Sequence, residues 1–265
     1  MKTAYKLNIG GRETQQDNCK VLTSSSSTFL VLGDGMGGHK GGAKASETLI
    51  KYASIKYNQH KGKVLNPKFF FQSIINETFQ VLKNYKQVNK NTDPQTTCVL
   101  VLIQDSKVYS MHIGDSRVYI LDTMKFIWRT KDHSVVEMLL SLGEITEKEM
   151  ATHPDQNRLL KSLNGNKKSQ GTFKITLLPE GKSMVLVCSD GFWEYISVKE
   201  MKQYGFNLSI EKALSTMVLL ARKRGGIKGD NISVALSIEE VLKKNQQKNL
   251  FTRFISKLIP ILINR

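Results

Sequence analysis

Apolar residues recur along this chain in two rhythms, and the switching between them predicts mixed α and β structure. Residues 29–32 are an unbroken apolar run that stops at Gly33-Asp34-Gly35, the mark of a buried strand. From Ala43 the period lengthens. Ala45, Leu49, Ile50 and Ala53 share a helical face, and a second helix opens at Asn66-Pro67, a cap followed by proline in the first turn. That helix carries Phe71, Ile74, Ile75, Phe79, Leu82 and Tyr85 as core residues. Residues 96–130 hold four short apolar segments, TTCVLVLI, KVYSMHI, RVYIL and KFIWRT, whose tight turns predict an antiparallel meander. Because residues 98–103 are apolar at odd and even positions alike, that strand is expected between another sheet and a layer of helices.

Farther on, Ser134-x-x-Glu137 and Thr146-x-x-Glu149 have capping-box spacing and predict short helices within residues 133–165, the first closed by Gly143. Strands return at 173–178, 184–188 and 232–238. Between them a helix opens at Ser197-x-x-Glu200 and a longer one spans 211–224, ended by Gly225-Gly226. Residues 1–240 thus read as one α+β domain and 241–265 as a basic tail. Within the tail, Phe251, Phe254, Ile255, Leu258 and Leu262 fall at helical spacing over residues 250–263, with Arg253 and Lys257 elsewhere on the wheel. The segment is too short and charged to cross a bilayer. It suits docking on its own domain, on a partner or on anionic lipid, alternatives that the sequence leaves open.

Charge changes this picture little. Thirty-nine Lys plus Arg against 23 Asp plus Glu give +16; subtracting the tail's six leaves +10 spread over the rest, without the basic block and interleaved aromatics that nucleic-acid binding would need. Cys19, Cys98 and Cys188 are odd in number and lack metal spacing, so they read as buried apolar residues of a reducing compartment. With no apolar leader and no run of about 20 apolar residues, the expected location is cytoplasmic, or peripheral at the membrane through the tail.

The chemistry sits at strand ends. Gly33-x-Gly35-x-x-Gly38 has the outline of a dinucleotide-binding turn, but Asp34 would repel a phosphate, and residues 51–63 hold no acid to meet a ribose. Asp34, Asp115, Asp190 and Asp230 each lie beside an apolar strand and are followed by Gly, Ser or Asn, with Asp17 as a fifth candidate. Such dipeptides also make ordinary turns. Their recurrence at strand ends of one sandwich would bring them together, and like charges at close range call for cations between them. Oxygen donors without His or Cys suit magnesium or manganese and argue against zinc.

In chain order the sequence carries Gly11-Arg12 to Asp17, Asp34-Gly35-Met36-Gly37-Gly38-His39, Thr96-Thr97, His112-Ile113-Gly114-Asp115-Ser116-Arg117, Thr130-Lys131-Asp132-His133-Ser134, His153-Pro154 to Asn157, Cys188-Ser189-Asp190-Gly191-Phe192-Trp193 and Gly229-Asp230-Asn231-Ile232-Ser233-Val234. With these pieces over about residues 8–238, the chain resembles the metal-dependent protein phosphatases (phosphatase 2C, PPM family) of bacterial type. The resemblance implies a four-layer αββα sandwich, two antiparallel sheets flanked by helices, with two Mn2+ or Mg2+ ions at one end. By the same resemblance Asp34 would bridge the metals and the Gly35 carbonyl would bind one of them. Asp190 and Asp230 would hold the other, Asp17 would position the attacking water, and Asp115 with Asp190 would serve a third, weaker site. Arg12, with its planar fork of donors, would hold the substrate phosphate.

The implied activity is that of a monomeric serine/threonine phosphoprotein phosphatase in which metal-activated water attacks in line, with no covalent enzyme intermediate. Its substrates would be phosphoserine and phosphothreonine proteins of a cognate kinase system. Cys188, with no nearby arginine to build a phosphate loop, agrees with the absence of a protein nucleophile. Gln15-Gln16 stand where many members have Asn-Glu, and Met36 stands where animal-type members place a histidine; His39, three residues later, does not simply inherit that role. His39 and His112 read equally well as a loop residue and a strand-end packing residue. Residues 133–165 would form a flap beside the site. A catalytically silent scaffold of the same fold is the rival reading, and the retention of Asp34, Asp190, Asp230 and Arg12 argues against it. A Rossmann domain is the third, and the strands of 96–130 count against that.

Overall fold

In a computed structural model, which describes residues 2–36, 41–60, 63–150 and 153–242, the two rhythms resolve into thirteen strands and seven α-helices. The first half runs β1 (Lys2–Asn8), β2 (Asn18–Thr23), β3 (Thr28–Gly33), β4 (Gly35–Met36), α1 (Gly41–Gln59), α2 (Pro67–Val88), β5 (Gln95–Thr96), β6 (Cys98–Gln104), β7 (Lys107–Ile113), β8 (Arg117–Asp122) and β9 (Phe126–Arg129). The second half runs α3 (Val135–Leu142), α4 (Glu147–Met150), β10 (Leu163–Asn164), β11 (Thr172–Leu177), β12 (Gly181–Cys188), α5 (Asp190–Trp193), α6 (Val198–Asn207), α7 (Ile210–Gly225) and β13 (Ile232–Val241). His39 and the tail segment 250–263 lie outside the described residues.

Two antiparallel sheets, ordered β1-β13-β12-β8-β9 and β11-β7-β6-β3-β2, stack face to face, and β10-β5-β4 form a small third sheet. The fully buried β6 shows why its sequence is apolar at every position. Cys98, Leu100 and Leu102 face α1 and α2, packing with Leu49, Phe71 and Ile74, while Val99, Val101 and Ile103 face Val118, Ile120, Val185 and Val187 of the other sheet. On the far side of that sheet, Leu186, Leu236 and Tyr119 meet Met201, Leu214 and Met217 of α6 and α7. The result is the expected αββα sandwich. Each large apolar side chain buried in it contributes on the order of 1.5–3 kcal/mol.

Local signals placed the helix ends well. The Asn66 side chain accepts the Phe69 amide at 3.1 Å, Ser134 and Gly143 bracket α3, and Ser197 with Glu200 closes a full capping box on α6. The expected meander is corrected. β6 and β7 form a hairpin through Asp105 and Ser106, both at positive φ as such turns require, but β8 does not pair with β7. Gly114-Asp115-Ser116 carries the chain across to the other sheet, where β8 lies between β12 and β9, and the free edge of β7 is taken by β11. A short polar turn looks alike whether it reverses a strand or moves it between sheets. Among the described residues no helix is long and apolar enough to cross a membrane.

Candidate active site

Strand registers decide which end of the sandwich is charged. Asn18 pairs with Gly33 and Cys98 with Ile113 in one sheet; Cys188 pairs with both Arg117 and Val234 in the other. Asp17, Asp34, Asp115 and Asp190 lie just beyond these positions, and Asp230 precedes β13, so all five carboxylates gather at one end.

Each of four of them is perturbed by its neighbours. Burial lifts Asp34 well above the ordinary carboxylate range, with Asp17, Asp190, Asp115 and Asp230 adding to the effect in that order. Asp17, 5 % exposed, is pushed up to about 8, chiefly by burial, despite hydrogen bonds from Ser189 and Ser233. Asp190 is pushed up to about 6 by burial and by Asp230, and a hydrogen bond with Asp34 opposes the rise. Asp115 is raised by burial, then by Asp190 and Asp132. Among the described residues only Arg12 meets this charge in an ion pair, its Nη2 lying 2.6 Å from Asp230 Oδ2.

Three features test whether a metal suits this end. The donors are carboxyl oxygens, the carboxyl groups outnumber the one cation paired with them among the described residues, and Asp17 Oδ2 is buried with no hydrogen-bond partner. That combination fits a hard divalent cation. Among the described residues no three acidic, His or Cys side chains already close on one point. Asp34 leans on Asp190 and Asp230 turns to Arg12.

Residues that the sequence reading quoted within its motifs, without giving them a role, hold the cluster in place. The Asp34 amide donates to Thr97 Oγ1 at 2.9 Å, the Thr97 amide donates to the Asp34 carbonyl at 2.8 Å, and the Thr97 hydroxyl meets that of Ser116 at 2.7 Å. Gly114, at φ +101°, packs so closely on Thr97 that a Cβ there would collide with it. Trp193 Nε1 donates to the Asp115 carbonyl at 3.1 Å, and the Arg117 guanidinium lies 3.4 Å over the Trp193 ring. Arg117 itself grips Asp132 with three hydrogen bonds of 2.6–3.1 Å. Asn231 accepts the Gln16 amide at 2.7 Å and donates to the carbonyls of Ile9 and Thr14, pinning the loop that bears Arg12. Its sequence setting, Asp-Asn before a strand, signals a turn and gives no hint of that long-range contact.

His112 is a buried strand-end residue whose Nε2 donates to the Lys131 carbonyl at 2.8 Å. Its ring stacks on His133 at 4.5 Å, and His133 Nδ1 accepts the Gly114 amide. That bond keeps His133 neutral, and burial with His112 beside it pushes the ring down to about 3. Gly35, the other expected metal-side residue, is buried in β4 opposite Thr96. A cavity of about 900 Å³ opens beside Asp115, with Trp193, Tyr195, Val136 and Glu194 in its wall. Burial and the charges of Asp190 and Asp230 push Glu194 up to about 7.

A family model described as protein phosphatase 2C matches residues 8–224. Protein phosphatase PhpP of Streptococcus pneumoniae is 27% identical over 240 residues, covering 89% of this chain and 96% of that one. Among solved structures, the serine/threonine phosphatase of S. agalactiae superposes with a TM-score of 0.81 at 26% identity, covering 91% of this chain and 99% of that one. The catalytic domain of the serine/threonine phosphatase PstP in complex with two manganese ions gives 0.77 at 24% identity, covering 91% and 98%.

Proposed function

The chain belongs to the protein phosphatase 2C family, and on that premise we propose that it is a metal-dependent serine/threonine phosphoprotein phosphatase centred on the aspartate end of the sandwich. The observation that carries the reading is the imbalance there: five carboxylates share one end, four of them raised by burial and mutual repulsion, with one orphaned buried oxygen on Asp17. We assign Asp34 and the Gly35 carbonyl to one divalent cation, Asp34 with Asp190 and Asp230 to a second, and Asp115 with Asp190 to a third, weaker one. When bound, such cations supply an acidified water and neutralise charge developing on the phosphoryl oxygens.

The remaining work belongs to the chain. Arg12, exposed on a loop pinned by Asn231, turns its planar fork from Asp230 to the substrate phosphate. Asp17, hydrogen-bonded by Ser189 and Ser233, would orient a water for in-line attack on the phosphoester. The apolar core between the sheets adjoins the site. Cys188 has no share as a nucleophile, since burial raises its thiol far from the reactive range.

Manganese or magnesium would serve as the ion; the PstP structure holds two manganese ions. A protein kinase of matching specificity supplies the substrate. Residues 1–240 form the catalytic unit in this reading, with 241–265 as an extension for docking or membrane contact.

Hydrolysis of p-nitrophenyl phosphate tests the proposal. Turnover is expected with manganese, lost in chelator, and lowered about a hundred- to a thousandfold by Asp34→Asn. Turnover that survives both chelator and Asp34→Asn would overturn it.

A further inference from the structure

The short Gly226–Lys228 turn between α7 and β13 is locked to the loop that carries Arg12. The Gly11 amide donates to the Gly229 carbonyl at 2.8 Å. Gly10, at φ +65°, lies so close beneath the Asp230 carbonyl that a Cβ would collide with it. Arg12 reaches Asp230, and the Asn231 side chain ties back to Ile9 and Thr14. These bonds make the two loops one rigid unit, so whatever the turn displays is displayed beside the phosphate-binding guanidinium.

It displays Ile227, 90 % exposed, and an exposed Lys228. Ile9, on the Arg12 side, is 41 % exposed. Ile227 adds nothing to the core, and its backbone lies against Gly11, next to Arg12, so its side chain stands where a bound peptide would pass. The charge here is positive as well. Arg222 and Lys223 at the end of α7 are exposed and, like Lys228, form no ion pair among the described residues, whereas Arg224 is held by Glu200. Glu13 is the exposed acid on the facing loop.

Building on the phosphatase reading above, we propose that this turn is a substrate-recognition lip that selects phosphoproteins with an acidic residue beside the phosphorylated serine or threonine. Lys228 pairs with that acid while Arg12 holds the phosphate, and Ile227 packs on the aliphatic surface of the peptide. Separating the two charge contacts on one rigid unit fixes the spacing that is read.

The test compares kcat/KM, in manganese, for p-nitrophenyl phosphate and for two phosphothreonine peptides that differ only in carrying Glu or Lys next to the phosphoresidue. The unmodified chain is expected to favour the acidic peptide. Lys228→Glu should cost that peptide about tenfold and improve the basic one, and Lys228→Gln should fall between, with p-nitrophenyl phosphate unchanged to within about twofold. Ile227→Ala should weaken both peptides alike. Equal turnover of the two peptides by the unmodified chain, or a Lys228→Glu effect that is the same on both, overturns the lip and leaves the phosphatase reading standing. Lack of metal-dependent p-nitrophenyl phosphate turnover in the unmodified chain overturns both.

Discussion

Two groups of buried charge lie side by side at one end of this sandwich and are built on opposite terms. Arg117 and Asp132 are matched: the guanidinium spans both carboxylate oxygens at 2.6–3.1 Å, donates to the Tyr119 hydroxyl at 3.1 Å and stacks on Trp193. The neighbouring group, Asp17, Asp34, Asp115, Asp190 and Asp230, has Arg12 as its ion-pair partner, on its exposed rim. The fold is able to neutralise a buried charge with its own residues, as the first group shows. Where it leaves five acids so little compensated, our reading is that divalent cations from outside the chain would balance them.

The sharpest way to break that contrast is to remove one charge from each group and measure urea unfolding in chelator. Arg117→Ala should cost about 3–5 kcal/mol, because it strands Asp132 in a buried site and empties the space over Trp193. Asp34→Asn should instead raise metal-free stability by about 1 kcal/mol, since the amide keeps a donor toward Asp190 and gives up the repulsion. Losses of similar size in both variants would mean that the aspartates are as well matched as the pair.

A smaller effect follows from pH. Asp17, raised to about 8, and Asp190, raised to about 6, keep their protons in the folded chain at pH values where the unfolded chain, with carboxyls near 3.8, has lost them. Stability in chelator therefore falls as pH rises through those values. His133 works the other way, being held neutral down to about 3 against 6.5 when unfolded, but its contribution is complete above pH 6.5. From pH 6.5 to 8 the melting temperature of the metal-free protein is expected to drop, and Asp17→Asn should flatten the slope. A rise across that window would contradict the carboxyl assignment.

How much of this was legible beforehand follows from how far each signal reaches along the chain. The apolar run of β6, the Asn66-Pro67 start of α2 and the Ser197–Glu200 box of α6 are written within a few residues, and each element formed as read. The acids at strand ends were visible too, because Asp beside an apolar run is a local pattern. The crossing at Gly114–Ser116 was not, since its turn carries the same residue types as a hairpin and the choice is made by β11 and β12, more than 50 residues away. Nor were the roles of Asn231, Trp193 and Thr97, whose bonds to Gln16, Asp115 and Asp34 span 215, 78 and 63 positions.

The most direct measurement is thermal unfolding of the unmodified chain and of Asp34→Asn, each in manganese and in chelator. If the aspartate cluster holds divalent cations, manganese at about a hundred times its dissociation constant raises the melting temperature of the unmodified chain by about 5–10 °C, and Asp34→Asn, starting higher without metal, responds far less. No shift in the unmodified chain, or the same shift in both, would contradict the account.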